Sequence, residues 1–217
     1  MNFSGIVFDL DGTLLNTLDD LANSMNAALK EFGYPEHPVE KYKIFVGNGM
    51  EKLVRRAAPP EITDKKIIEQ LFASFTQQYN NRWNEFTKPY AGINELLSKL
   101  ESLGIKMSVL SNKSEDFTKI IIEHYFGLNR FAFVYGARKG VPKKPDPVLA
   151  LEILKLSGVP ASQYLYLGDT GIDMNTANGA GMHAVGATWG FRTKEELLQN
   201  GAKTIINNPM DIVNLIV

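Results

Sequence analysis

Two aspartates stand one residue apart at the exit of an apolar run, Ile6-Val7-Phe8-Asp9-Leu10-Asp11-Gly12-Thr13. A buried strand of this kind delivers two carboxylates to its C-terminal end, the side of an α/β sheet where ligands bind. A carboxylate there can act as nucleophile, metal ligand or acid/base group, and a pair allows a division of labour. Plainer readings compete. Asp and Gly after a strand also form turns or cap the next helix. A calcium-binding loop accommodates Asp9 and Asp11 but wants Gly at its sixth position and Glu at its twelfth, where this chain has Leu14 and Asp20.

Other strand ends carry matching groups. Val109-Leu110-Ser111-Asn112-Lys113 offers a hydroxyl followed by backbone N–H groups at an expected helix start, a cradle for an oxyanion or phosphate. Simple helix capping by Ser111 or Ser114 explains the same residues. In Lys143-Lys144-Pro145-Asp146-Pro147 the proline pushes Lys144 toward an extended backbone that aims its side chain, although lysines before a helix are commonly solvated. The run Leu165-Tyr166-Leu167-Gly168-Asp169-Thr170-Gly171-Ile172-Asp173 again places acids at the end of an apolar segment. Capping by Asp169 accounts for one of those acids and leaves Asp173 unexplained.

The elements that must position these groups follow from periodicity. Strands are expected at Gly5–Phe8, Ile105–Leu110, Tyr164–Leu167 and His183–Ala187, with Phe131–Tyr135 a fifth and Thr204–Ile206 a weaker sixth. Helical stripes alternate with them, as at Ile93, Leu96, Leu97, Leu100 and Leu103 before Gly104, and at Leu149–Leu156 before Gly158. Alternating strand and helix implies a doubly wound parallel sheet, Rossmann-like, in the α/β class. Residues 16–87 break the pattern with three helical stripes and no strand: Leu18–Phe32, a helix after Gly49, and Ile67–Tyr79. They form an expected helical insertion, so the core comprises residues 1–15 and 88–217.

The chain has 217 residues, 44% of them hydrophobic, and a net charge of −1. That balance provides no nucleic-acid or membrane footprint. The absence of cysteine excludes disulfides, thiolate catalysis and zinc ribbons. The sequence runs into its first strand without a basic n-region or a long apolar stretch, which points to a cytoplasmic enzyme.

Taken together, these motifs resemble the haloacid dehalogenase superfamily of aspartate-nucleophile phosphotransferases. Asp9-Leu10-Asp11-Gly12-Thr13-Leu14 matches the first motif of that family, Ser111 the second, Lys144 the third and Gly168-Asp169-x-x-x-Asp173 the fourth. The helical insertion lies where the family carries its first type of cap. Phe45-Val46-Gly47-Asn48-Gly49-Met50, Lys144-Pro145-Asp146-Pro147 and Trp189-Gly190-Phe191 are similar to phosphoglycolate phosphatases in particular. Asn16-Thr17 departs from the Asp-Ser that relatives often carry.

Charge indicates a cation. Four ionised acids offset by Lys144 leave −3, which would repel a phosphate dianion. A divalent ion is expected, and Mg²⁺ matches hard oxygen donors. Protonated Asp11 would then bring the site to neutrality. The resemblance implies that Asp9 attacks phosphorus and that Asp11 serves as general acid, then base. It further implies a metal held by Asp9, the Asp11 carbonyl and Asp169, with Asp173 ligating or orienting bound water. Ser111 and Lys144 bind phosphoryl oxygens, with Asn112 beside them, and Thr13 steadies the nucleophile loop. An acid at position 11 argues for phosphoryl transfer, because dehalogenases of the family lack it.

Gly47 and Asn48 are candidates for a substrate-reading loop or a plain turn. Arg55 or Arg56 could meet a substrate carboxylate or lie on a solvated face. His37, His124 and His183 lack ligand spacing and are expected to be structural. The expected activity is hydrolysis of a small phosphorylated metabolite, 2-phosphoglycolate first, by a monomer or homodimer. A β-phosphoglucomutase-like mutase and a non-catalytic metal- or phosphate-binding protein are the alternatives.

Overall fold

A computed structural model describes residues 3–216. The chain divides into two compact units, one of Met1–Leu15 with Pro89–Val217 and the other of Asn16–Lys88. The two-residue strands β2 (Leu15–Asn16) and β3 (Lys88–Pro89) stand where the chain passes from one unit to the other.

The first unit is built on β1 (Gly5–Phe8), β4 (Lys106–Ser114), β5 (Phe133–Ala137), β6 (Tyr164–Gly168), β7 (His183–Ala187) and β8 (Thr204–Ile206). They form one sheet in the order β5-β4-β1-β6-β7-β8, and its neighbouring strands pair in parallel. Every residue of β1 and β6 is buried, which is why these strands are near-continuous apolar runs rather than alternating ones. The chain steps outward from β1 to β4 and β5, then resumes on the other side of β1 with β6. That reversal opens a crevice at the C-terminal ends of the central strands.

Helices α5 (Ile93–Ser102), α6 (Glu115–Tyr125), α7 (Val148–Ser157), α8 (Gly171–Gly179), α9 (Lys194–Gln199) and α10 (Val213–Ile216) complete this unit. Val7, Leu110, Tyr164 and Tyr166 pack on Leu149 and Ile153 of α7 and on Met174 and Ala177 of α8.

The boundaries of β4 and β5 depart furthest from the sequence expectation. β4 continues four residues past Leu110, so α6 starts at Glu115 and not directly after Ser111. Ser111, Asn112 and Lys113 are all buried, which holds this stretch extended, and its pairing with β5 shifts between Leu110 and Ser114. β5 starts at Phe133, because Phe131 closes a short 3₁₀ turn by donating its N–H to the Leu128 carbonyl.

The second unit holds α1 (Leu18–Glu31), α2 (Tyr42–Phe45), α3 (Met50–Ala57) and α4 (Lys65–Arg82). Leu21, Met25 and Leu29 of α1, and Ile68, Leu71, Phe75 and Tyr79 of α4, are all buried, as expected for facing helical stripes. Asp64 caps α4 by accepting the Lys66 N–H. Among the described residues, no helix is long and apolar enough to cross a membrane.

Candidate active site

The loop after β1 is tied tightly to itself. The Leu10 carbonyl accepts the N–H groups of Leu14 and Leu15, each at 3.0 Å, and Gly12 donates to the Leu15 carbonyl at 2.9 Å. Gly12 has φ +84°, and a Cβ there would overlap the Asp169 carboxylate. This turn lays the β1 loop against the end of β6, where Asp169 follows Gly168. Gly168 is required for a similar reason, since a Cβ would run into the Asp173 side chain.

Asp9, Asp169 and Asp173 each offer a carboxylate oxygen within 4.8 Å of the others, and all three are buried. Lys144 Nζ lies 2.8 Å from Asp9 Oδ1 and 2.7 Å from Asp173 Oδ1. The other Asp173 oxygen accepts the Thr170 hydroxyl at 2.6 Å and its N–H at 3.1 Å. Thr170 and Asp173 thus form a reciprocal capping box at the start of α8, so Asp173 carries the capping role that sequence had offered to Asp169. Asp169 accepts the Thr13 hydroxyl at 3.0 Å and the Phe191 N–H at 2.8 Å.

Electrostatics follow from this crowding. Burial, then repulsion from Asp173, pushes Asp9 well above the usual carboxylate range, with Lys144 opposing. Burial and Asp173 raise Asp169 to about 7. Burial alone would lower the Lys144 ammonium, yet Asp173 and Asp9 beside it raise it above its ordinary value. A buried set of hard carboxylate oxygens whose own repulsion disfavours full ionisation fits a divalent cation.

Asp11 is held elsewhere. Both of its oxygens lie 2.8 Å from Lys113 Nζ, and the lysine side chain is only 3% exposed. This corrects the sequence charge count. Two buried lysines stand against the four acids, so the excess is two negative charges and not three. A dication then offsets that excess. A lysine just before a helix reads as solvated, and only its spacing of two from Ser111 on an extended strand end could have signalled otherwise.

The remaining candidates fall into place around this centre. Ser111 is 2% exposed, and its hydroxyl accepts the Lys113 N–H at 3.1 Å. The cradle expected at a helix start is therefore extended backbone. Asn112 Nδ2 donates to the Lys144 carbonyl at 3.2 Å. Thr13 is fully buried with its hydroxyl on Asp169.

The loop after β7, whose Trp189-Gly190-Phe191 run is singled out by resemblance, closes the site. Trp189 Nε1 donates to the Thr13 carbonyl at 3.0 Å, and Phe191 donates to Asp169. A Cβ on Gly190 would overlap Asp169 and the Gly12 carbonyl. Tyr90 donates its N–H to the Leu14 carbonyl at 3.2 Å, and burial, then the charges of Asp169 and Asp11, raise its phenol.

Within the helical unit, Arg56 is bound to the chain itself. It donates to the carbonyls of Ile44 and Phe45, at 3.2 and 3.0 Å, and to Asn48 Oδ1 at 2.7 Å. It thereby fixes the loop Gly47-Asn48-Gly49. His37 Nε2 lies 2.8 Å from the Ala57 carbonyl and His183 Nε2 lies 2.8 Å from Thr204 Oγ1, while His124 packs edge-on to Tyr125.

A parallel sheet with an aspartate at the end of β1, a lysine-bridged acid pair and a further acid at the end of β6 defines an α/β protein with a buried acidic site at its strand ends. The chain belongs to the haloacid dehalogenase-like hydrolase family, whose model matches residues 6–187. It is 32% identical over 207 residues to a phosphoglycolate phosphatase of Pseudomonas savastanoi pv. phaseolicola, covering 94% of this chain and 76% of that one. It is 35% identical over 190 residues to the phosphoglycolate phosphatase of Pseudomonas putida, covering 86% and 70%. A crystal structure from Haemophilus somnus, of a predicted phosphoglycolate phosphatase, superposes with a TM-score of 0.91 at 26% identity, covering 99% of this chain and 98% of that one. The protein is a phosphoglycolate-phosphatase-like hydrolase of this family.

Proposed function

We propose that the protein is a Mg²⁺-dependent, cytoplasmic phosphatase that cleaves 2-phosphoglycolate through an aspartyl phosphate on Asp9. The observation that carries this reading is the buried trio Asp9, Asp169 and Asp173 with Lys144 bonded to two of its members. An Asp9 oxygen attacks phosphorus as the bond to the leaving alkoxide breaks, and Asp11 gives that alkoxide a proton. Asp11 then takes a proton from the water that attacks the aspartyl phosphate, which frees Asp9 and releases inorganic phosphate.

Lys144 and the Ser111 hydroxyl hold the phosphoryl oxygens as charge moves onto them. Thr13 and Asn112 act behind them, through Asp169 and the Lys144 backbone. Asp9, Asp169 and the Asp11 carbonyl would hold the cation, with Asp173 as ligand or as orienter of bound water. When bound, it neutralises the carboxylates and polarises a phosphoryl oxygen. Substrate choice is assigned to the helical unit of residues 16–88, with Gly47 and Asn48 as its reading loop. The names of the relatives support the choice of 2-phosphoglycolate.

Phosphate release from a panel of monoesters, with Mg²⁺ or with EDTA, tests the reading. Release should be fastest on 2-phosphoglycolate, vanish with EDTA, and fall at least ~10³-fold in Asp9→Asn. A different best ester would replace the substrate alone. Release that survives both EDTA and Asp9→Asn would overturn the mechanism.

A further inference from the structure

We propose that Lys113 is a positioning residue for Asp11, a role that rests on the assignment of Asp11 as the acid/base group. One ammonium reaches both Asp11 oxygens at 2.8 Å, so it fixes the rotation of the carboxylate as well as its place. A contact to one oxygen would leave that rotation free. The lysine is 3% exposed and the aspartate side chain 14%, so water does not loosen the pair as it would on the surface.

Lys113 is itself held from behind. Its N–H is bonded to the Ser111 hydroxyl, and it lies in the stretch of β4 where the pairing with β5 shifts register. Such irregularities in a strand re-aim side chains beside functional sites. The consequence is a division of cations. Lys144 serves Asp9 and Asp173, and Lys113 serves Asp11. Asp11 therefore stays out of the three-carboxylate trio. Without Lys113, the double hold on the two Asp11 oxygens is lost, and with it the fixed aim of the carboxylate at the leaving-group oxygen.

Single-turnover and steady-state kinetics with Mg²⁺ on Lys113→Met, Asp11→Asn, the double variant and Asp9→Asn test this. Lys113→Met should lose ~10²-fold in kcat on an alkyl phosphate, the scale of a misplaced catalytic group, with KM within ~3-fold. Aspartyl-phosphate formation from an aryl phosphate, whose leaving group needs no proton, should stay within ~3-fold of wild type. In the Asp11→Asn background, Lys113→Met should cost less than ~2-fold, since a pair that acts as a unit is not additive. The double variant buries no lone charge, so it reads out the coupling even where Lys113→Met alone fails to fold.

An unchanged kcat in Lys113→Met, equal losses on alkyl and aryl esters, or full additivity in the double variant would overturn the positioning role. Asp9→Asn separates the two levels. An active Asp9→Asn sinks the functional reading, whereas a dead Asp9→Asn beside an unaffected Lys113→Met sinks this inference alone.

Discussion

Asp20 in the helical unit and Asp169 in the sheet unit are both fully buried carboxylates, but what surrounds them is opposite in kind. Asp20 accepts the Phe86 N–H at 3.0 and 3.1 Å and the Thr87 N–H at 2.8 Å. Backbone donors from the far end of the unit close its charge, and the contact clasps the start of α1 to the segment after α4. Asp169 also accepts two hydrogen bonds, yet its carboxylate lies within 4.8 Å of those of Asp173 and Asp9, and burial plus the repulsion from Asp173 lift it to about 7. A buried acid surrounded by donors is a structural clasp. A buried acid surrounded by other acids is a demand for a cation.

The same isosteric change should therefore act with opposite sign in the two places. Asp169→Asn should produce the largest effect, a loss of at least ~10²-fold in Mg²⁺-stimulated phosphate release, by removing one carboxylate of the trio. It should also make the metal-free protein more stable, because an amide keeps partners in the Thr13 hydroxyl and the Phe191 N–H without the repulsion. Asp20→Asn should instead destabilise the helical unit by about 2–3 kcal/mol, since its NH₂ turns toward backbone donors and a charged acceptor is lost. Urea titrations of both variants with EDTA read the comparison directly. Shifts of the same sign would break it.

A smaller effect lies in pH. The folded Asp169 titrates at about 7, against 3.8 ordinarily, so between those values the folded state holds more protons than the unfolded. This acid's contribution to stability is fully present near pH 4 and is lost as pH rises to about 7. The stability of the wild type relative to Asp169→Asn should fall across that window in EDTA. Saturating Mg²⁺ should flatten the fall, because the cation replaces the proton. A flat difference in EDTA would contradict the crowding of Asp169 with Asp173.

Much of this was legible in the chain for a simple reason. Apolar runs force strands, and the first polar residues after β1 and β6 must emerge at their C-terminal ends, which located Asp9, Asp11, Asp169 and Asp173. The parallel α/β sheet followed from the alternation of strands and helices. Groups whose meaning depends on distant partners were not legible. Asp20 is explained only by N–H groups 66 and 67 residues away. Lys113 takes no role from sequence alone, and its burial follows from β4 carrying it inward. Gly190 stands only as part of a resemblance, and its need for glycine shows once Asp169 is packed against it. Of the two residues weighed as the helix cap, Ser114 stands at the start of α6 and Ser111 does not, because burial of residues 111–113 keeps them extended.

Trapping the covalent intermediate tests the central claim most directly. Protein with Mg²⁺ is mixed with 2-phosphoglycolate, quenched in acid within the first turnover, and digested for peptide mass mapping. A phosphoryl group on Asp9, absent in Asp9→Asn and absent with EDTA, is the predicted result. Full turnover with no phosphorylated peptide, or with the group on another residue, would contradict the account.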